Sequence, residues 1–292
     1  MIAVEDPPGF IVRTEAQKAA SNNGFRIERG VEQGWLRLAS TTAQVGIWIA
    51  GGSKDGPWFL SVDRPEVSAE LGFSSEPAAV GPGVTTFAFD GLQALYGALD
   101  RTYRLGVSLP DAPYDAFQAA ARDLPLTTEA ERLVVQRLGQ NLFRQAVLAY
   151  WGGRCPLTGI SNTELLRASH IVAWAECESD EKRLDVHNGL LLSALWDAAF
   201  DAGLVSFGND GTVIGSPRLT AESAGALGLK NPKKLTGLTA ASDQLSVAPG
   251  PVRLFDLMLE LIFVPRPSGG RWRHRHRLRS APDIFRSRAR SR

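Results

Sequence analysis

One stretch, Arg154 to Gly215, constrains this chain more than any other. LLRASHIVA is an apolar-rich strand with a single His in it. A polar loop, ECESDEKRLD, follows, and NGLLLS returns as a second apolar strand. SALWDAAFDAG reads as a helix, with Gly203 just past its end. LVSFGNDGTVI completes the run as a hairpin with Asn209-Asp210-Gly211 at its turn. The order strand, loop, strand, helix places a few polar side chains at chosen points of an otherwise apolar unit.

Those side chains suit the hydrolysis of a phosphodiester bond. That reaction needs an activated water, a cation to neutralise developing charge, and a group that holds the base in place. His170 ends the first strand, and imidazole is the side chain best matched to a general base near neutral pH. His187 is the rival base, since it adjoins Asn188, although a polar loop role is the favoured reading for it. Asn188 opens the return strand, where a carboxamide can fix the loop through backbone hydrogen bonds and orient His170 indirectly. Asp197 lies on the following helix and is a hard-oxygen ligand suited to Mg²⁺ or Mn²⁺. Asp201, one turn later, adds a second ligand or caps the helix end. Arg154 and Arg167 are candidate phosphate clamps.

The segment from about Thr127 to Gly215 resembles the HNH endonuclease family. The resemblance rests on four motifs in order. They are Cys155-Pro156-Leu157-Thr158-Gly159, Ser169-His170-Ile171, Asn188-Gly189-Leu190-Leu191-Leu192 and Phe200-Asp201-Ala202-Gly203. It implies a ββα-metal fold, metal-dependent cleavage of DNA, and His170 as general base. Two positions depart from the family's common pattern. Asp197 stands where many members have a third His, which shifts metal preference towards hard cations. Ser169 stands where many have Asp or His before the base, leaving the metal site short of charge for Asp201 or substrate phosphate to supply. Some members carry two Cys pairs around a zinc. With only Cys155 and Cys177 present, no structural zinc is expected, and Cys155 is expected to pack beneath the Thr158-Gly159 turn.

The remainder of the chain gives the frame. FRIER, GWLRLAS, QVGIWIAG and PWFLSV between residues 25 and 63 read as strands. Pro65 opens a short helix through Leu71, and residues 75–83 read as a loop. Helices are predicted over Phe89–Tyr103 and Tyr114–Ala121. The strongest helix signal is TEAERLVVQRLGQNLFRQAVLAY, where Thr128 and Glu131 form a capping box and Gly152-Gly153 ends the run. Leu133, Val134, Leu138, Leu142, Val147 and Tyr150 are expected on its buried side. Arg137 and Arg144 fall on the polar side, which can track a phosphate backbone or simply face solvent. Trp35, Trp48 and Trp58 are either core or a platform for a flipped base. PVRLFDLMLELIFVP is expected to pack on the nuclease core.

The fold class that follows is α+β. A mixed α+β targeting or interaction module (1–110) is joined by connecting helices (111–153) to a nuclease domain with an extension (154–264). A basic tail (265–292) ends the chain. Hydrophobic residues at 44% and charged residues at 22% exclude an intrinsically disordered chain, and a net charge of +1 excludes a globally basic DNA-coating protein. The charge is uneven: Arg271 to Arg292 holds nine Arg and one Asp, a stretch able to contact a polyanion. No apolar run reaches membrane-spanning length. The start, MIAVEDPPGF, shows no secretory signal, so a reducing cytoplasm is the expected location. DNA is the expected partner and a homodimer one possible assembly. Two rival readings stay open: a DNA-binding module that has lost catalysis, and a toxin or effector nuclease switched on by a ligand or partner sensed by the N-terminal module.

Overall fold

The computed structural model describes residues 4–73, 80–109, 111–122, 124, 128–208, 210–229 and 234–235. The apolar segment around 251–265 and the basic tail lie outside the described residues, as do Thr127, Asn209 and most of the 75–83 loop.

The chain opens with helix α1 (Phe10–Asn22), then four strands: β1 (Ile27–Glu32), β2 (Trp35–Ala39), β3 (Ile47–Gly51) and β4 (Trp58–Val62). Helix α2 (Pro65–Leu71) starts on its proline, as its fixed φ favours. Strand β5 (Thr85–Phe89) and helices α3 (Leu92–Ser108) and α4 (Asp111–Ala121) follow. The helix expected from Phe89 therefore begins three residues later. Phe87 and Phe89 are both buried with Ala88 exposed between them, which is the period of a strand.

The five strands form an antiparallel meander in the order β1-β2-β3-β4-β5. Alternation divides its apolar residues between two faces. Leu36, Leu38, Ile47, Ile49, Leu60 and Val62 join the main core with α1 and α3. Trp35, Trp48, Ala50 and Phe59 form a smaller cluster on the other face, with Val4 against it. Trp58 is also fully buried, in the main core. All three tryptophans are thus core residues and not an open stacking platform.

The long helix α5 (Glu129–Tyr150) starts with the expected capping box: the Glu131 N–H donates to Thr128 Oγ1 and the Thr128 N–H to Glu131 Oε2. Its buried side matches the expected one at Val147 and Tyr150, with Leu138 and Leu142 partly buried against the core, and departs from it at the start of the helix. Leu133 and Val134 are exposed, and Gly139, Phe143, Ala146, Val147 and Tyr150 face inward. The cause is tertiary: α5 packs on α3, α4 and a strand pair further along the chain, and its first turns are left exposed. Those strands are β6 (Leu166–His170) and β7 (Gly189–Ser193), joined through the short helix α6 (Asp180–Leu184) within the loop. Helix α7 (Ala194–Asp201), the hairpin β8 (Val205–Phe207) and β9 (Val213–Gly215), and helix α8 (Ala221–Ala226) complete the described chain. One apolar core runs through both parts, from Phe25 and Leu60 to Leu191 and Trp196. No helix among the described residues is long and apolar enough to cross a membrane.

Candidate active site

β6 and β7 pair antiparallel, with Leu166 opposite Ser193 and His170 opposite Gly189. This sets His170 at the open end of the pair. Its ring lies flat on Phe143 of α5, centroids 3.7 Å apart at 17°, and Trp174 meets it edge-on at 5.5 Å. Gly189 makes this approach possible, since a Cβ there would lie 2.9 Å from Phe143 Cζ and 2.6 Å from Val147 Cγ2. His170 Nε2 is 2.9 Å from the backbone carbonyl of Arg183. A carbonyl only accepts, so Nε2 carries the proton and Nδ1 keeps its lone pair. Burial lowers the His170 pKa, and the bond to Arg183 opposes that shift in part. The ring is held neutral, in one tautomer, with one nitrogen available as a base.

A consequence is testable by pH. Activity that depends on neutral His170 will lose rate on the acid side below the ordinary histidine value of about 6.5. Trp174→Ala opens the ring to water, and desolvation then disfavours the cation less. The acid limb of the rate profile is expected to move up towards that ordinary value. An unchanged limb in the variant would show that burial by Trp174 does not set the base.

Asn188 is 1% exposed and sits behind His170. Its Oδ1 accepts the Val172 N–H at 2.7 Å, and its Nδ2 donates to Val172 O at 3.2 Å and Lys182 O at 3.3 Å. The carboxamide thus ties both ends of the 171–184 loop together and is positioned to orient rather than to touch substrate. Arg183 is the residue that sequence reasoning missed. Its guanidinium donates to Trp174 O, Cys177 O and Asp180 Oδ1, while its own carbonyl receives His170. It lay within what reads as a polar loop, and no local pattern marks an arginine that bonds backwards across nine residues to Trp174.

Ser169 precedes His170, and its hydroxyl donates to Asp197 Oδ1 of α7. Asp201 follows one turn later, and its pKa is raised by burial and by the charge of Asp197. The two carboxylates therefore feel each other, and a cation between them would relieve that repulsion. Among the described residues no three His, Cys, Asp or Glu side chains converge as a metal cage. The donor set is one carboxylate, a neighbouring carboxylate and a hydroxyl, all hard oxygens. It fits a Mg²⁺-type ion, which keeps several waters and takes oxygens from a substrate phosphate.

The four arginines separate into two kinds. Arg144 is spent inside the protein, donating to Leu166 O at 2.9 Å and Thr163 O at 2.8 Å, so it braces β6 against α5. Arg154 donates to Gly159 O, and Arg167 to Glu164 O and Leu166 O. Both are exposed, with donors remaining for a phosphate. Arg137 is exposed on α5. Cys155 is wholly buried, and its backbone closes the Thr158-Gly159 turn through bonds with Gly159 and Ile160.

His187, the rival base, is engaged on both nitrogens. Nδ1 lies 2.8 Å from Asp185 Oδ1 and Nε2 lies 2.6 Å from Glu70 Oε1 of α2. Burial pulls its pKa down, but the two carboxylates outweigh burial and push it up to about 9. At neutral pH it is a buried cation with no lone pair to offer.

Residues 155–208 match the family model described as HNH endonuclease. This part of the chain is an HNH endonuclease domain. No curated protein matches the chain. The matched segment of the HNH domain begins after α5, although α5 supplies Phe143 under the base and Arg144 beneath β6. The domain's ββα unit is β6, β7 and α7, and the α+β class expected for the chain is the one observed.

Proposed function

We propose that the protein is a metal-dependent endonuclease that hydrolyses DNA phosphodiester bonds. The observation that carries this reading is the neutral His170, clamped at Nε2 with Nδ1 available, at the strand end where Ser169 bonds Asp197. In the reaction, Nδ1 takes a proton from water as the water oxygen bonds to phosphorus. The bond from phosphorus to O3′ breaks, and the leaving oxygen takes its proton from solvent. Asp197, with Asp201, would hold a divalent cation, which supplies charge neutralisation at the scissile phosphate. Arg154 and Arg167 would hold flanking phosphates. Asn188 and Arg183 keep the loop, and so the base, in register.

The setting we propose is restriction of foreign or modified DNA in the cytoplasm, with the N-terminal sheet as the part that selects substrate. The fusion of that sheet to the nuclease through a shared core supports the division of labour.

The test uses supercoiled plasmid, unmodified and cytosine-modified, with Mg²⁺, Mn²⁺ or EDTA. Cutting is expected with either metal and none with EDTA. Asp197→Asn is expected to slow cutting by at least the roughly 10–100-fold typical of losing an outer-sphere partner of a metal, with recovery at higher metal concentration. Equal cutting in EDTA would overturn the metal-dependent reading. Folded protein that binds DNA and never cuts would favour a module that has lost catalysis.

A further inference from the structure

The N-terminal sheet carries a cavity of about 450 Å³ that the nuclease chemistry does not use. That volume lies within the roughly 300–1,000 Å³ usual for small-molecule sites. One wall is the β1–β2 pair, whose register shifts between Glu28 and Gly30. Glu28 stays opposite Leu38 and is bonded by Arg13 and Gln17 of α1. Gly30 comes opposite Arg37 with φ +114°, a region that favours glycine. Arg29 is the extra residue of this bulge, a device that re-aims a side chain. Arg29 and Arg37 both line the cavity.

The β2–β3 loop supplies further lining, and it is tied down at three points. Thr42 Oγ1 bonds Tyr103 Oη at 2.9 Å, the Gln44 N–H donates to Gly106 O at 2.8 Å, and the Gly46 N–H donates to Asp63 Oδ1 at 2.8 Å. Arg37 sits 5.3 Å over the ring of Trp48, its cross-strand neighbour. Neither Arg29 nor Arg37 meets a carboxylate among the described residues. Two guanidinium groups left without an acid, beside a pre-formed space, match the oxygens of a phosphate. Asp63 lines the same cavity, where it disfavours a second anion and can accept an N–H.

We propose that this cavity binds a nucleotide unit, with its phosphate on Arg29 and Arg37 and an N–H of its base towards Asp63. The unit is either a free nucleotide or one residue of a nucleic-acid strand. The inference gives the substrate-selecting part of the proposed function a ligand, and it rests on that reading only for the strand as source.

The experiment titrates wild-type protein and an Arg29→Gln/Arg37→Gln variant calorimetrically, in EDTA, with dGMP and with a short single-stranded oligonucleotide. Matching thermal melts confirm that the variant is folded. A loss of dGMP affinity of about 10-fold or more in the variant supports the free nucleotide. A loss confined to the oligonucleotide, with the salt slope smaller by about 0.7 per phosphate contact, supports the strand. Equal affinities in the two proteins, or binding by neither, overturns the proposal. Plasmid cleavage by the same preparations separates the two readings. Cleavage without arginine-dependent binding removes the cavity and leaves the nuclease, and arginine-dependent binding without cleavage does the reverse.

Discussion

His170→Ala is expected to lower the rate of DNA cleavage by about 10²–10⁴-fold, the range for loss of a positioned general base. Affinity for DNA should stay within a few-fold, because the ring lies flat against Phe143 and between protein groups rather than on the phosphate contacts. The expected loss is therefore in the chemical step. Single-turnover cleavage at saturating protein separates that step from binding. Asn188→Ala should reproduce part of the loss without removing any group that meets substrate, since it frees the 171–184 loop that carries the Arg183 carbonyl. Equal residual cutting by wild type and His170→Ala would sink the assignment of the base.

The second large effect is on stability, at His187. Its imidazolium is held between Glu70 and Asp185, with only 8% of the side chain exposed. Its pKa of about 9 in the folded protein lies above the unfolded value of 6.5. A raised pKa contributes stability that is fully present below 6.5 and is lost as pH rises through about 9. The shift corresponds to about 3 kcal/mol. Wild-type protein is thus expected to need less urea to unfold as pH rises across that window. His187→Ala leaves two carboxylates facing each other without the cation, and should cost about 3–5 kcal/mol at neutral pH. The variant should also lose most of the wild-type slope between pH 6.5 and 9. Urea midpoints measured at several pH values decide it, and parallel curves for the two proteins would refute the charged bridge.

The bridge also shows what a linear reading misses. Along the chain His187 reads as a rival base, because it adjoins Asn188. Its actual role depends on Glu70, 117 residues earlier, on a helix of the N-terminal module. α1 gives little signal along the chain for a different reason. Its buried stripe is Val12, Ala16, Ala19 and Ala20, and alanine gives little contrast with polar neighbours. In α5 the apolar Leu133 and Val134 looked like core, and only the position of α3 and the nuclease strands decides which half of the helix is covered.

What the sequence determined by itself is local. The capping box at Thr128, the start of α2 at Pro65 and the β6–loop–β7–α7 order rest on contacts between neighbours in the chain. Alternation and helical spacing report such contacts directly. The tertiary structure alone decided which nitrogen of His170 is left with its lone pair, that Arg144 braces β6, that Arg183 organises the loop between β6 and β7, and that His187 is a buried cation. Each of these depends on a hydrogen bond or ion pair whose geometry exists only once the loop and packed helices are in place. No pattern of residue types along the chain encodes the direction of such a bond.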